Sequence, residues 1–297
     1  MNVLAQFLGC LPFSLDVGGR KTQWVLSVGD TLISRRKQQA FHLDKKPVHL
    51  PPRHLLRLWN YAPINIDRTY RSSALWQYVA TCLPKDARFL DIGSNIGGYL
   101  KLANERGMRT LGVEANPELG PVLEKNKAVF GEVRPVALGA SIGVLPFHIS
   151  DINPGGSSLV DSNKGWESSG YSRTVEVPVT TLDAMLQGRL DGWKKIHLVK
   201  IDVEGGEEAV IRGMEECLSS GKIEAIWCEV RGPDSDRNPN SALAVNELLS
   251  NHSYRAFCYN PLSASPLSPF DPNARLPQYF DLLFVNEDGL CRVEHLL

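Results

Sequence analysis

From Arg88 onward, segments with two different patterns of apolar positions alternate along the chain. Short continuous apolar runs have the length and content of buried strands, as in "RFLDIG", "RTLGVEA", "VRPVALGA" and "KIHLVKIDVEG". Between them, apolar residues recur near a 3.6-residue period in "YLKLANERG", "NPELGPVLEKNKAVFG" and "GEEAVIRGMEECLSSG". Pro117 is expected in the first turn of the second helix, where its missing N–H does no harm. This alternation predicts an α/β fold with a parallel sheet covered by helices on both faces.

The two ends of the chain depart from this pattern. Before residue 86 we predict a strand in "TQWVLSVGDTLISRR" and a helix in "SSALWQYVATCL", with Ser72 or Ser73 as its N-cap. We therefore expect an N-terminal extension, 1–85, that packs on a core domain, 86–297, and covers its active site. The tail predicts a helix, "SALAVNELLSN", and two strands, "YRAFCY" and "YFDLLFVN". The loop at 260–278 between those strands is long enough to suggest a functional role or disorder.

Composition narrows the class of protein. The formal net charge of the 297 residues is −1, which favours neither a nucleic acid nor an anionic membrane as partner. No apolar run approaches the roughly 20 residues that a membrane span needs. The six cysteines lie far apart with no CxxC pair, which is typical of reduced thiols in a cytoplasmic protein. The sequence leaves the oligomeric state open, a homodimer included.

The glycine turn in "FLDIGSNIGGY" indicates what kind of ligand it holds. A dinucleotide site has the spacing G-x-G-x-x-G, but here three residues lie between Gly93 and Gly97. Ser94 and Asn95 occupy the place where a second glycine would let a pyrophosphate approach. Asp91, two positions before the first glycine, would repel phosphates and would suit an ammonium group. The pattern favours a ligand that carries a cationic amino-acid moiety.

A second acid follows the next predicted strand. Glu114, in "GVEANP", lies about 20 positions after Asp91, the separation at which an acid binds both ribose hydroxyls in such units. Proteins that bind NAD and proteins that bind S-adenosylmethionine share this feature, so it indicates a ribose without choosing between them.

Five motifs in order carry a family resemblance: "FLDIGSNIGGY", "GVEANP", "VALG", "TLDAML" and "VKIDVEGGE". Over residues 86–230 the chain resembles the FkbM family of S-adenosylmethionine-dependent methyltransferases, which have the class I methyltransferase fold. The resemblance implies a Rossmann-like sheet of seven mostly parallel strands, the last one antiparallel. It also implies S-adenosylmethionine as cofactor and O-methylation of a small hydroxylated substrate, namely a sugar, a glycolipid or a secondary-metabolite intermediate.

The resemblance also suggests which residues bind the cofactor. Asp91 would face the methionine ammonium, and Glu114 would bind the ribose hydroxyls. Ala115 and Asn116 would lie beside the adenine, and Ala137 and Leu138 would flank its ring. Leu138 is equally compatible with an ordinary core position. The full set of expected cofactor-binding residues is Asp91, Gly93, Ser94, Asn95, Gly97, Glu114, Ala115, Asn116, Ala137, Leu138 and Asp202.

The segment "VKIDVEGGE" supplies the candidate catalytic groups. Asp202 and Glu204 follow an apolar strand and so lie at the carboxyl edge of the sheet, where open α/β folds bind ligands. An alcohol that accepts a methyl group loses a proton, and we expect these two carboxylates to orient or deprotonate it. In the alternative interpretation, Asp202 only holds the cofactor and Glu204 caps the next helix. His148 is a further candidate base, although a lone strand histidine is more often structural.

Other polar residues are expected near the acceptor. Glu229 ends the strand "AIWCEVRG", and Arg231 would pair with it or contact an acidic substrate. Ser157 and Ser158 in "NPGGSSL" fall where the resemblance places a serine-bearing loop. Asp202, Glu204 and Glu229 together offer the oxygen ligands that Mg²⁺ prefers, while no His/Cys cluster suggests zinc. Because that carboxylate set is the sole support for an ion, we expect no metal.

Three other functions remain open on the sequence. A nicotinamide-dependent oxidoreductase is disfavoured by the missing middle glycine. A nucleic-acid methyltransferase would be expected to show basic patches and stacking aromatics, and only the short runs "SRRK" and "DKK" are basic. A non-catalytic protein that binds the cofactor as a scaffold is disfavoured by the complete set of acids and glycines.

Overall fold

The computed structural model describes residues 41–43, 46–48, 70–150, 154–160, 173–187, 193–235 and 238–297. The strand predicted in "TQWVLSVGDTLISRR" and most of the 1–85 extension lie outside these residues. Within them, β1 (Phe41–Leu43) and β2 (Lys46–Val48) form a separate antiparallel pair. Among the described residues, no helix has both the length and the apolar content to cross a membrane.

Eleven further strands form two sheets in the described part of the chain. They are β3 (Arg88–Ile92), β4 (Arg109–Val113), β5 (Glu132–Arg134), β6 (Ala137–Leu138), β7 (Gly143–Ile149), β8 (Arg173–Thr180), β9 (Leu198–Ile201), β10 (Ala225–Arg231), β11 (Arg255–Tyr259), β12 (Leu267–Pro269) and β13 (Tyr279–Val285).

The larger sheet confirms the expected architecture and adds one strand to it. Its order is β12-β11-β13-β10-β9-β3-β4-β5, with β5, β4, β3, β9 and β10 all parallel. Strand β13 is antiparallel to both of its neighbours, β10 and β11, as expected for the last strand. The eighth strand, β12, comes from the 260–278 loop and pairs antiparallel with β11 at the outer edge. The smaller sheet has the order β6-β8-β7.

Helices cover both faces of the large sheet. They are α1 (Ala74–Cys82), α2 (Gly98–Glu105), α3 (Gly120–Lys125), α4 (Lys127–Phe130), α5 (Leu182–Leu186), α6 (Glu207–Arg212), α7 (Glu215–Ser219), α8 (Ser241–Ser250) and α9 (Glu287–Val293). Side chains of α1 to α4 and α9 pack with Phe89 and Trp227 on one face. Side chains of α5 to α8 pack with Leu90 and Ile226 on the other face. This alternation along each strand produces two separate apolar layers.

Helix α1 confirms the helix predicted near residue 75. It begins after Ser73, whose hydroxyl accepts a hydrogen bond from the Trp76 N–H at 3.1 Å. Leu75, Tyr78 and Val79 are buried in the apolar layer of α2 to α4. The last part of the predicted extension therefore packs on the sheet.

Some predicted elements are divided in the structure. The stretch "VRPVALGA" is two strands in different sheets, β5 and β6, because Pro135 has no N–H with which to continue a ladder. The helix expected from Pro117 begins instead at Gly120 and ends at Lys125, where α4 follows directly after Asn126. The helix "GEEAVIRGMEECLSSG" is interrupted at Gly213 and gives α6 and α7.

The cysteines of the described residues are free thiols. They are Cys82, Cys217, Cys228, Cys258 and Cys291, while Cys10 lies outside that part of the chain. The cytoplasmic location expected from them stays a prediction.

Candidate active site

The glycine turn between β3 and α2 is held against the neighbouring strand ends. The N–H groups of Gly93 and Ser94 both donate to the Val113 carbonyl, at 2.9 and 3.0 Å. Gly93 has a φ of 77°, and a Cβ at this position would lie 1.8 Å from the carbonyl oxygen of Asp202. Glycine is required here because the ends of β3 and β9 approach closely.

The second glycine of the turn has a different neighbour. Gly97 has a φ of 81° and directly precedes α2, and a Cβ there would lie 2.8 Å from the ring of Phe130. Packing between this turn and α4 therefore explains the residue type at Gly97. A contact between either glycine and a cofactor stays a prediction.

Asp91 is the last residue of β3 on the sheet face that α1 and α2 cover. The glycine turn begins two residues later. It is 1% exposed, and neither of its carboxylate oxygens accepts a hydrogen bond from a described residue. Its neighbour across the sheet is Lys200 of β9, whose Nζ lies 3.6 Å from Asp91 Oδ1. Burial raises the pKa of Asp91 to about 6, against the opposing effect of the lysine charge. The structure thus places a buried carboxylate with unused hydrogen-bonding capacity beside the glycine turn.

Lys200 was not among the residues singled out from the sequence. Its Nζ also lies 3.0 Å from Asp202 Oδ2 and 5.5 Å from the ring centre of Tyr99. Although burial opposes protonation, the carboxylates of Asp202 and Asp91 hold the pKa of Lys200 well above its ordinary value. A lysine inside the apolar run "LVKI" was the available signal, because a lysine is almost never fully buried without a partner.

Glu114 lies at the end of β4, next to the glycine turn. It is 8% exposed, and its two oxygens accept hydrogen bonds from the N–H groups of Asn95 at 2.7 Å and Asn116 at 2.8 Å. Burial raises the pKa of Glu114 to about 7, although these two bonds favour the ionised form. The structure thus places the Glu114 carboxylate beside the glycine turn.

The residues expected around the adenine have different surroundings. Asn116 is 1% exposed, and its Nδ2 donates to no described atom, so a buried donor points to a partner that the protein does not supply. Ala115 is half-buried and packs on the small sheet. Ala137 and Leu138 are both buried in β6, and Leu138 belongs to the apolar layer of α5 to α8.

Three carboxylates come together near the carboxyl ends of β9 and β10, with Asp202 and Glu204 after β9 and Glu229 within β10. Asp202, Glu204 and Glu229 each offer an oxygen within 4.8 Å of the others. Two cations already compensate them, because Lys200 pairs with Asp202 and Arg231 Nη2 lies 2.8 Å from Glu204 Oε2. The sequence correctly predicted that these acids share one edge of the sheet.

The backbone of Glu204 has an unusual conformation. Its φ is 60°, in the left-handed region that residues other than glycine rarely adopt. The hydroxyl of Ser158 donates to the Glu204 carbonyl oxygen at 2.8 Å, and the hydroxyl of Ser157 accepts from the Ser150 N–H at 3.1 Å. The two predicted substrate serines therefore bind backbone groups and fix the loop beneath Glu204.

Arg231 is buried on the same face of the sheet. Its side chain is 1% exposed, lies 3.5 Å from Glu229 and stacks at 5.2 Å on the ring of Tyr279. Of the two roles expected for it, pairing with Glu229 is the one present. Burial, together with the charges of Asp202 and Glu204, raises the pKa of Glu229 well above its ordinary value and so favours the protonated carboxyl.

Asp281 is a further carboxylate of this edge that the sequence reasoning missed. It lies directly opposite Glu229 where β13 pairs with β10. An acid within the apolar strand "YFDLLFVN" was the available signal. His148, by contrast, lies in the small sheet, where its Nδ1 is 3.0 Å from the Thr174 hydroxyl.

This arrangement fits the cofactor implied by the resemblance. Asp91 offers a buried acceptor for an ammonium group, Glu114 offers two carboxylate oxygens for ribose hydroxyls, and Asn116 offers a buried donor. Pairing a buried carboxylate with a ligand cation removes the cost of leaving its charge uncompensated.

Comparison with known proteins gives one relative and many structures of low identity. Methyltransferase sdnD of Sordaria araneosa is 30% identical over 163 residues, which are 45% of this chain and 62% of that protein. The chain thus spans less than two thirds of that relative. The magnesium protoporphyrin IX methyltransferase of Synechocystis, solved with bound S-adenosylmethionine, is 12% identical, with 93% of this chain and 100% of that chain covered and a TM-score of 0.39. A TehB-like S-adenosylmethionine-dependent methyltransferase of Corynebacterium glutamicum is 15% identical, with 77% and 97% covered and a TM-score of 0.37.

The family assignment rests on a match to a family model. The model described as the methyltransferase FkbM domain matches residues 91–256, which is more than half of the chain. That segment begins at Asp91 and contains the glycine turn, Glu114 and the carboxylates that follow β9. This chain therefore belongs to the FkbM family of methyltransferases, for which S-adenosylmethionine is the cofactor and methyl donor.

Proposed function

We propose that this protein transfers a methyl group from S-adenosylmethionine to a hydroxyl of a small molecule, namely a sugar, a glycolipid or a secondary-metabolite intermediate. The observation that carries the proposal is Asp91, a buried carboxylate without a hydrogen-bond donor among the described residues, at the glycine turn. When bound, the cofactor supplies an activated methyl group on a sulfonium ion. All other steps depend on groups of this chain.

Asp91 pairs with the ammonium of the cofactor, and Glu114 accepts hydrogen bonds from its ribose. Asn116 donates to the adenine through its buried Nδ2. The other cofactor contacts expected from the sequence are also part of the proposal. They are Gly93, Ser94, Asn95, Gly97, Ala115, Ala137, Leu138 and Asp202.

Asp202 and Glu204 orient the acceptor hydroxyl. Asp202 follows β9 directly, and Glu204 is fixed from both sides by Arg231 and by the bond from Ser158 to its carbonyl. Glu229, in its protonated form, donates a hydrogen bond to another acceptor oxygen. Such alignment is able to remove roughly 7–11 kcal/mol of a barrier in favourable cases.

The proposal also covers the kind of acceptor, the role of residues 1–85 and the location of the protein in the cell. We propose a small-molecule partner and no nucleic acid, because the net charge of the chain is −1. We also propose that residues 1–85 act as a cap on the catalytic domain 86–297, and that the protein is cytoplasmic.

Two titrations test the cofactor assignment. Calorimetry of the purified protein should show micromolar binding of S-adenosylhomocysteine and none of NAD, while Asp91→Ala should abolish the binding. Asp234→Ala, which removes an exposed acid outside the site, is the matched control and should bind normally. Binding of NAD alone would instead favour the nicotinamide-dependent oxidoreductase. Binding of S-adenosylhomocysteine with no methylation of any hydroxylated acceptor would favour the scaffold.

A further inference from the structure

A cavity of about 440 Å³ lies beside the carboxylates, at the same edge of the sheet. Its walls come from the first residues of β13, the last residues of β11, the middle of β10 and the segment 269–277. Strand β11 runs in the same direction as β10, because both are antiparallel to β13. The cavity therefore lies at the edge where the parallel strands end, which is the ligand-binding edge of open α/β sheets. Its volume is in the range of small-molecule sites.

Four aromatic residues line the cavity, namely Trp227, Tyr259, Phe270 and Phe280. The rings of Trp227 and Tyr259 lie 5.9 Å apart, and each is also 5.9 Å from the ring of Tyr78 beneath them. Phe270 and Phe280 line the cavity with ring centres 6.3 Å apart. Rings that pack on one another keep their positions, so this wall is formed before a ligand arrives. Such a wall favours a flat apolar ring system over a polyhydroxylated molecule.

Charged side chains also line the cavity, namely Asp271, Arg275 and Asp281, and Asp281 adjoins the proposed reaction site. Asp281 lines the cavity, and its side chain is exposed. The protein that surrounds Asp281, together with the charge of Asp202, raises its pKa to about 6. At neutral pH the group is therefore ionised and able to accept a proton.

We infer that this cavity is the acceptor pocket, that it takes an uncharged molecule with an apolar ring system and a free hydroxyl, and that Asp281 accepts the hydroxyl hydrogen bond. The inference rests on the proposed methyl transfer. As the acceptor oxygen bonds to the methyl carbon, the carbon–sulfur bond breaks and its electron pair stays on sulfur. The hydroxyl proton passes to the Asp281 carboxylate, leaving S-adenosylhomocysteine, a methyl ether and a neutral Asp281.

Asp281 is better placed for the proton than its neighbours. Asp202 and Glu204 are already ion-paired with Lys200 and Arg231, and burial favours the protonated form of Glu229. Asp281 borders both the apolar cavity and the carboxylate cluster, so a ring in the cavity brings its hydroxyl between them. Asp202 and Glu204 keep the orienting role proposed above.

The test uses the full chain saturated with S-adenosylhomocysteine and three probes: 2-naphthol, 2-methoxynaphthalene and methyl β-D-glucopyranoside. Saturation-transfer NMR should show contact of the naphthalene ring with the protein and little contact of the glucoside. Ala274→Trp fills the cavity and should remove the ring signal. Leu262→Trp is the matched control, since Leu262 is 91% exposed and does not line the cavity, and it should leave the signal unchanged.

The role of Asp281 is tested by the difference between two of these probes. 2-Naphthol donates a hydrogen bond and its methyl ether does not, so the wild-type protein should prefer 2-naphthol by about tenfold. Asp281→Asn should abolish that preference while the naphthalene ring still binds.

If the glucoside binds as well as the naphthalene probes, or if the ring signal survives in Ala274→Trp, the assignment of this cavity as the acceptor pocket is wrong. An unchanged preference in Asp281→Asn would overturn the assignment of the proton acceptor. Calorimetry with S-adenosylhomocysteine alone reports separately on the proposed methyl transfer, because that binding involves neither the cavity nor Asp281.

Discussion

Asp91 and Lys200 are direct neighbours on adjacent parallel strands, and Asp91 Oδ1 lies 3.6 Å from Lys200 Nζ. The lysine compensates part of the carboxylate charge but is too distant for a hydrogen bond, and it has a closer partner in Asp202 at 3.0 Å. A buried carboxylate in this state is stabilised further by any ligand cation that reaches it. The affinity for the cofactor product should therefore depend on the ionisation of Asp91.

Binding of S-adenosylhomocysteine should weaken as the pH falls. The pKa values of Asp91 and Glu114 are raised to about 6 and about 7, so both groups take up protons between pH 8 and pH 6. The ligand ammonium and ribose hydroxyls need the ionised forms, and protonation of Glu114 alone should weaken binding about tenfold at pH 6. Calorimetry at pH 6, 7 and 8 measures the effect. Glu114→Gln should lose the step near pH 7, and an affinity that is equal at all three values would contradict the assignment.

Turnover should be more sensitive than cofactor binding to the loss of Asp202 or Glu204. Neither side chain is needed for the ammonium and ribose contacts proposed above, yet both align the acceptor. We expect Asp202→Ala and Glu204→Ala to reduce formation of S-adenosylhomocysteine by about 10²-fold or more. The assay is a panel of ring-bearing and sugar alcohols, with product affinity measured in parallel. Normal turnover in both variants would show that these carboxylates have no part in the reaction.

Arg231→Met should destabilise the protein and also reduce turnover. The buried guanidinium pairs with Glu204 and lies 3.5 Å from Glu229, and without it the charge of Glu204 is left uncompensated beside Asp202. We expect a loss of about 1–3 kcal/mol in the free energy of unfolding, measured by urea denaturation. Arg255→Met, at an exposed position of β11, is the control and should change it little. Equal effects of the two variants would mean that the buried pair contributes nothing.

Gly97→Ala should destabilise the glycine turn. The added methyl group meets the ring of Phe130 at 2.8 Å, and the φ of 81° is unfavourable for alanine. The expected cost is about 1–3 kcal/mol. Gly143→Ala is the matched control, because no atom lies within 4 Å of its Cβ and its φ is not in the left-handed region. A thermal midpoint that falls equally in both variants would show that the contact with Phe130 is unimportant.

The sequence predicts the main strands and the acids that follow them. Asp91, Glu114, Asp202 and Glu229 stand out because each interrupts or ends an apolar run, and parallel strands bring such ends to one edge. That pattern does not show which side chains contact each of these acids. The pairing of Lys200 with Asp91 depends on the register between β3 and β9, which the sequence alone does not fix.

Other parts were beyond sequence reasoning for a different reason. The resemblance implied an antiparallel last strand, but it did not show that the beginning of β13 would lie beside the end of β10, which brings Asp281 to the site. The 260–278 loop was expected to be functional or disordered, and its strand β12 was not foreseen. Three residues with a proline at the end carry too little periodicity to indicate a strand.

Strand β12 pairs with β11 alone and is the outermost strand of the sheet. The segment that begins with its last residue, 269–277, supplies much of the cavity wall without contributing to the glycine turn or to the strands that carry Asp91 and Asp202. Exchange of this one contiguous segment for that of a homologue would reshape the acceptor pocket and leave the order of the seven inner strands intact. Selection for a new substrate can act on the same segment. Insertions and deletions at this edge of the sheet disturb the residues that bind the methyl donor least.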